Sequence, residues 1–203
     1  MHGQGGRSRL GRWAERILKE NLNCRVTAVE LEKAAGINAE PWCEKLIIGD
    51  VEQLPLEDHL DGKRFHGILM ADVLEHLMDP WGVLKRLAQC ISLGGYLVSS
   101  IPNSRYLALI DHLVNGHWTY QSSGLLDKTH LRFFTLSEIS DMFQYAGFSI
   151  TALHGNMGPL YPEFKDQDNK REIRFGRLHI KRLTPEEFNE FFVFQYLVQA
   201  TLS

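Results

Sequence analysis

FHGILMADVLEHLMDPWGVLKRL (65–87) passes from an apolar run through a polar turn into an amphipathic helix. Phe65 to Ala71 reads as a short buried strand, and Asp79-Pro80 supplies an N-cap followed by proline at the first helical position. Trp81, Leu84, Leu87, Ala88 and Ile91 share one face of that helix. Gly94-Gly95 is expected to stop it, and YLVSSI (96–101) to form the next strand.

Outward from this unit the alternation repeats. RVTAVE (25–30) and KLIIG (45–49) read as two earlier buried strands. Leu10, Trp13, Ala14, Ile17 and Leu18 mark an amphipathic helix from about Ser8 to Asn21. Downstream, Ser104 to Val114 reads as a helix with Tyr106, Ile110, Leu113 and Val114 inward, followed by a polar and aromatic stretch to Phe134. Thr135 to Glu138 is a capping box opening a helix with Ile139, Met142, Phe143 and Ala146 inward, closed by Gly147. Phe148 to Leu153 is a strand, 155–182 reads as loop, Thr184 to Glu187 is a second capping box, and Phe191 to Leu202 a long final strand. Near-continuous apolar strands alternating with helices are the pattern of a mostly parallel sheet covered on both faces. Such sheets bind ligands at the carboxyl ends of their strands. Those ends are Glu30, Gly49-Asp50, Ala71-Asp72 and Pro102-Asn103.

Bulk composition narrows the class. The 203 residues are 44% hydrophobic and 23% charged, and the net charge of -3 gives no general pull toward nucleic acid or anionic membrane. No apolar run approaches the roughly 18 residues that span a bilayer. Cys24, Cys43 and Cys90 lack C-x-x-C spacing, so reduced thiols and a cytoplasmic location are expected. One domain, 1–203, is the natural division.

Glu30 ends a strand where a ribose lies in such folds, 24 residues after Gly6; the alternative is a solvated acid. Asp50 can accept from an exocyclic amine while the Val51 N–H donates to a ring nitrogen, a pairing that reads adenine; alternatively Asp50 only initiates a turn. Asp72, Glu75 and His76 fall at i, i+3, i+4. His76 as a base beside the substrate, a divalent-metal trio, and a hydrogen-bonded helix start compete there. No metal is expected, because two carboxylates and one histidine this close are common without one. In HWTYQSSGLLDKTHLRFF (117–134), Tyr120, Asp127, His130 and Arg132 are candidates for gripping a polar substrate.

VTAVELE (26–32), LIIGDVEQLPL (46–56), the 65–87 stretch, GGYLVSSIPN (94–103), GLLDKTHLRFFTLSEISDMFQYAGF (124–148) and FFVFQYLVQAT (191–201) occur in this order. Together they resemble class I S-adenosylmethionine-dependent methyltransferases, in the group around the ubiquinone-biosynthesis O-methyltransferases and those of polysaccharide clusters. GLLDKTHLRFFT is the most specific and points to the sugar- or small-molecule-modifying branch. The resemblance implies a Rossmann-like α/β fold with an antiparallel C-terminal strand and S-adenosylmethionine as cofactor. It implies that Glu30 holds the ribose, Asp50 and Val51 the adenine, and Ala71 the region near the methionine moiety. The methyl would face a pocket lined by His76, Asn103, Tyr120 and His130, with His76 and His130 catalytic and Asn103, Tyr120 and Arg132 on the acceptor. Segment 104–134 would cover the substrate and 155–190 would be an insertion.

The departure lies at the start. The family's first, central strand ends in an acidic residue and a Gly-x-Gly-x-Gly turn. This sequence begins MHGQGGRS, and Gly3, Gly5 and Gly6 are read as remnants of that turn. Only Gly6 aligns in register, with Gln4 and Ser8 at the other glycine positions. The first strand is therefore expected to be absent or replaced, through truncation or a mis-assigned start. The leading expectation is methyl transfer to an oxygen or nitrogen of a small polar or saccharide acceptor. The alternatives are a non-catalytic binding or scaffold relative and, behind it, a nicotinamide-dependent oxidoreductase lacking an intact G-x-G-x-x-G. An exposed sheet edge would favour pairing of two copies.

Overall fold

The structure, a computed structural model, describes residues 15, 16, 20, 24–167 and 171–203. The glycines at 3, 5 and 6 lie outside these. Of the helix expected from Ser8 to Asn21, the described residues 15, 16 and 20 are helical, and Arg16 pairs with Glu20 at 2.9 Å, one turn on. The chain divides into two compact units, Met1–Lys63 and Arg64–Ser203.

The first unit is a β-α-β arrangement. β1 (Thr27–Glu30) pairs in parallel with β2 (Lys45–Ile48), from Thr27 against Lys45 to Glu30 against Ile48. Between them run α1 (Lys33–Ala39) and a 3-10 turn, Glu40–Trp42. α1 was not legible in the sequence, because AAGINA carries no apolar stripe. It packs closely enough that a Cβ on Gly36 would come within 2.4 Å of the Ile48 side chain. α2 (Leu56–Leu60) follows and stops at Asp61, which adopts the left-handed conformation. Ala28, Ala39, Ile47, Leu56 and Leu60 are buried here, a thin core with no buried aromatic side chain among the described residues.

The second unit is built on a four-stranded sheet ordered β3-β4-β8-β5. β3 (Phe65–Ala71) and β4 (Ile91–Pro102) are parallel and joined through α3 (Pro80–Ala88). α4 (Leu107–Val114) and α5 (Leu136–Tyr145) precede β5 (Phe148–Met157). After β5 come a short α6 (Tyr161–Phe164), an antiparallel hairpin of β6 (Glu172–Phe175) and β7 (Leu178–Lys181), and α7 (Pro185–Glu190). β8 (Val193–Leu202) then inserts between β4 and β5, antiparallel to both. β3, β4 and β5 thus share one direction and β8 runs against them, which makes the sheet mixed. Among the described residues β1 pairs only with β2, and β3 only with β4.

Leu97, Ile101, Val198, Ala200 and Phe148 are buried on the sheet, and Ile139, Met142 and Phe143 are the buried face of α5. The Phe143 and Phe148 rings meet edge-on at 6.2 Å.

Four expectations are corrected. Gly94-Gly95 does not stop a helix: α3 ends at Ala88, and the glycines lie inside β4, where a Cβ on Gly95 would come within 2.9 Å of the Ser92 carbonyl oxygen. Ile91 is accordingly a buried strand residue. Leu113 and Val114 point outward from α4, and the buried residues of that helix are Leu107 and Leu109. The 155–182 stretch is not simply loop. Ile173 joins Leu107, Phe164, Leu183, Phe188, Phe191 and Phe192 in a cluster around which the β6–β7 hairpin folds. Short strands with side chains shared between hairpin and core leave little periodicity to read.

Candidate active site

In the first unit the acids are held by their own turns. Glu30, the last residue of β1, accepts the Glu32 N–H at 3.2 Å through Oε1. Asp50 follows β2, with Oδ1 accepting the Glu52 N–H at 2.9 Å and its carbonyl receiving the Gln53 and Leu54 N–H groups. Val51 continues that turn and is partly buried. Two partly exposed carboxylates, each oriented by one backbone donor, suit ribose hydroxyls and an exocyclic amine. As hydrogen-bond acceptors they fit the nucleoside end of S-adenosylmethionine.

In the second unit β3 ends at Ala71, paired with Ser100 of β4. Asp72 turns the chain with φ 54°, an uncommon conformation for a residue other than glycine. Its carboxylate is anchored by the Ser100 hydroxyl at 2.9 Å and by the Gln195 side chain, and its N–H donates to Ser100 Oγ at 2.9 Å. Asp72 therefore ties β3 to β4 and β8.

The 3-10 turn Leu74–His76 comes next, and segment 125–132 is docked on it. The Glu75 carbonyl accepts the N–H groups of Leu131 and Arg132, at 2.8 and 3.0 Å. The Glu75 side chain is 1% exposed. His76 Nδ1 lies 3.1 Å from the Thr129 carbonyl, and His130 Nδ1 lies 3.1 Å from the Leu125 carbonyl. A carbonyl only accepts, so each Nδ1 carries a proton, and in the neutral ring that tautomer leaves Nε2 its lone pair. The two rings meet edge-on with centroids 4.8 Å apart. Burial pushes the His130 imidazole below its usual value, and the neighbouring His76 acts in the same direction. Asp127 shapes the loop: its Oδ1 accepts from the Thr129 N–H and hydroxyl, which hold its carboxyl below the usual range.

Pro102, Asn103, Ser104, Leu109, Leu125, His130, Arg132 and Phe133 line a shallow crevice beside this pair that is too narrow in this state to admit a water molecule. Arg132 donates to the Met78 and Leu131 carbonyls. Tyr120 is exposed and stands outside the residues lining the cleft. Asn103 departs from the expected acceptor contact. It is fully buried; its Nδ2 donates to the Glu190 and Val193 carbonyls, both at 2.8 Å, and its Oδ1 accepts the Arg105 N–H at 2.9 Å. With these bonds made, it pins β4 to the start of β8 and acts on the cleft through the backbone.

Sequence spacing thus brought His76 and Glu75 together correctly, but the third member is His130, not Asp72. Ser100 and Gln195 were missed. The signal for Ser100 was available: consecutive serines inside an apolar strand call for an internal hydrogen-bond partner.

Comparison with known proteins bears on the family and the fold. A family model described as a methyltransferase domain matches residues 9–153. Among solved structures, an S-adenosylmethionine-dependent methyltransferase from Thermotoga maritima, a possible histamine N-methyltransferase, superposes with a TM-score of 0.58 at 18% identity, over 93% of this chain and 77% of that one. The CcbJ methyltransferase from Streptomyces caelestis gives 0.60 at 12% identity, over 96% and 80%. The O-methyltransferase NcsB1 from neocarzinostatin biosynthesis, bound to S-adenosyl-L-homocysteine and 1,4-dihydroxy-2-naphthoic acid, gives 0.53 at 14% identity, over 96% and 47%. No curated protein matches in sequence. At these identities the structural likeness speaks for the fold alone, whereas the family match spans well over half of the residues: the chain belongs to the methyltransferase domain family, whose members use S-adenosylmethionine.

Proposed function

We propose that this methyltransferase moves the methyl group to an oxygen, or a nitrogen, of a small polar or saccharide acceptor, with His76 and His130 receiving the proton that the acceptor loses. The observation that carries this is the pair of backbone-held imidazoles, each with its Nε2 lone pair uncommitted to the carbonyl that fixes the ring. S-adenosylmethionine, when bound, supplies a methyl group on a positively charged sulfur. Glu30 accepts from the ribose hydroxyls, Asp50 from the exocyclic amine, and the Val51 N–H serves the ring nitrogen; Ala71 ends the strand next to the methionine moiety. Gly3, Gly5 and Gly6 are assigned to the turn at the methionine end. Arg132 and Tyr120 orient the acceptor, and Asn103 positions the segment that carries them. Because methyl transfer is largely alignment of nucleophile, carbon and leaving sulfur, residues that hold the acceptor count as much as the base.

We read 1–203 as a single methyltransferase-like domain, with 104–134 covering the acceptor and 155–190 inserted before the last strand. The absence or replacement of the family's first strand belongs to the same reading; its support is that β1 and β3 each pair along one edge among the described residues. No described helix is long and apolar enough to cross a membrane.

Calorimetric titration with S-adenosylmethionine and S-adenosylhomocysteine tests the cofactor half. Saturable binding is expected, and no detectable heat with either would sink it. Glu30→Ala is expected to weaken that binding by about 1–3 kcal/mol through lost charge-assisted hydrogen bonds. Unchanged affinity removes Glu30 from the site.

A further inference from the structure

We infer that β5 is a docking edge for a second copy of this chain, the two strands pairing antiparallel across a two-fold axis at Gly155. β5 stands at the end of the order β3-β4-β8-β5, so among the described residues one of its edges pairs with β8 and the other with no strand. Apart from Phe148, all of its residues are exposed or half-buried. Leu153 is 45% exposed, although Val198, opposite it on the same face of the sheet, is wholly buried. Met157 is 42% exposed opposite the buried Val193. The apolar face is thus closed over β8 and left open along the outer half of β5.

A long unpaired edge is ordinarily blunted by charged side chains, above all lysine, or by proline. β5 carries neither. From Met142 to Pro162 the sequence has no Asp, Glu, Lys or Arg, in a chain that is 23% charged. β3, at the other end of the same sheet, is shorter and lies between Arg64 and Asp72. Thr151 is the extra residue where β5 bulges against β8, and from Ala152 to Met157 β5 runs without another. That run is complementary to its own reverse. With Gly155 on the axis, Leu153 lies opposite the partner's Met157, and His154 lies opposite the partner's Asn156. Alternation then puts the apolar pairs on one face and the polar pairs on the other, while glycine at the axis lets the backbones meet closely. A slip of one residue would set Leu153 against the partner's Asn156 or the partner's Gly158 and lose that match. The contact is isologous, so each copy uses its edge once and assembly stops at two. The inference rests on the sheet and not on the methyl-transfer reading.

The test is sedimentation equilibrium of the whole chain, kept reduced, over a range of concentrations. Reversible dimerisation with a dissociation constant of about 1–100 µM is expected for so small an interface. Leu153→Lys, which sets an ammonium on the apolar side of the pairing, is expected to weaken association at least tenfold and to leave the melting temperature of the dilute monomer unchanged. Leu93→Lys, at a fully exposed site on β4, is expected to leave association unaltered. The register is read by oxidation, in a background of Cys24→Ser and Cys43→Ser that removes the two partly exposed thiols. Leu153→Cys combined with Met157→Cys is expected to give a disulfide-linked dimer, and Leu153→Cys alone to give none, because the two copies of that residue stand too far apart. A monomer at every concentration up to about 1 mM, association indifferent to Leu153→Lys, or cross-linking by Leu153→Cys alone overturns the proposal.

Discussion

The two units hold their functional groups over different distances along the chain. In the β1–β2 unit, Glu30 and Asp50 are each oriented by the N–H two residues on. In the sheet unit, His76 is fixed across 53 residues by Thr129, and Asn103 across 87 and 90 by Glu190 and Val193. Strand-end acids that cap their own turns survive changes elsewhere in the fold. A histidine pair assembled from two distant segments depends on every contact that docks one segment on the other. On the proposed function, cofactor recognition is built locally and acceptor chemistry globally.

Four measurements break or sharpen this contrast. The largest expected effect is in the sheet core. Phe148→Ala, fully enclosed against Phe143, is expected to cost about 3–5 kcal/mol in denaturant unfolding, whereas Ile47→Ala in the aliphatic core of the first unit costs about 2. Equal losses would erase the distinction between a thick and a thin core. Next is Asn103→Ala, which strands two buried carbonyls and one N–H and is expected to cost about 2–4 kcal/mol. A pure rise in acceptor KM with unaltered melting temperature would return Asn103 to the substrate.

Smaller still is Thr184→Ala. The box there is complete, with Thr184 Oγ1 accepting the Glu187 N–H and Glu187 accepting the Thr184 N–H, and its loss is expected to cost about 1 kcal/mol. Because α7 leads directly into β8, the same variant is expected to loosen the Asn103 anchor, read as faster amide exchange at 190–195. The smallest effect is in pH. The His130 imidazole is depressed in the folded chain, so the unfolded chain binds its proton more readily. That contribution to stability is complete above about pH 6.5 and is lost as pH falls toward the depressed value. The denaturation midpoint of the wild type is expected to fall on acidification more than that of His130→Gln; identical slopes would show the ring to be no more buried in the fold than out of it.

Much of the fold was legible in the sequence. β3 was read residue for residue, the Asp79-Pro80 start of α3 is borne out by the Asp79 side chain accepting the Gly82 N–H, and both capping threonines begin their helices. The failures have two causes. Gly94-Gly95 looks like a helix stop because glycine breaks helices, yet α3 had already ended, and a long strand tolerates glycine where it bulges. The β6–β7 hairpin was invisible because its inward residues are satisfied by phenylalanines from α6, α7 and the turn before β8.

The sequence by itself determined most of the longer strands and capped helices and which acids end the early strands, because strand period, helix caps and turn residues act within a few positions of one another. It also placed Glu75 and His76 on one turn. Only the tertiary structure decided that Asp72 belongs to Ser100 and Gln195, that Asn103 is a pin rather than a ligand, and that His130 completes the trio. Those partners lie tens of residues apart, and no local spacing encodes a contact that exists only once the loop has docked on the turn.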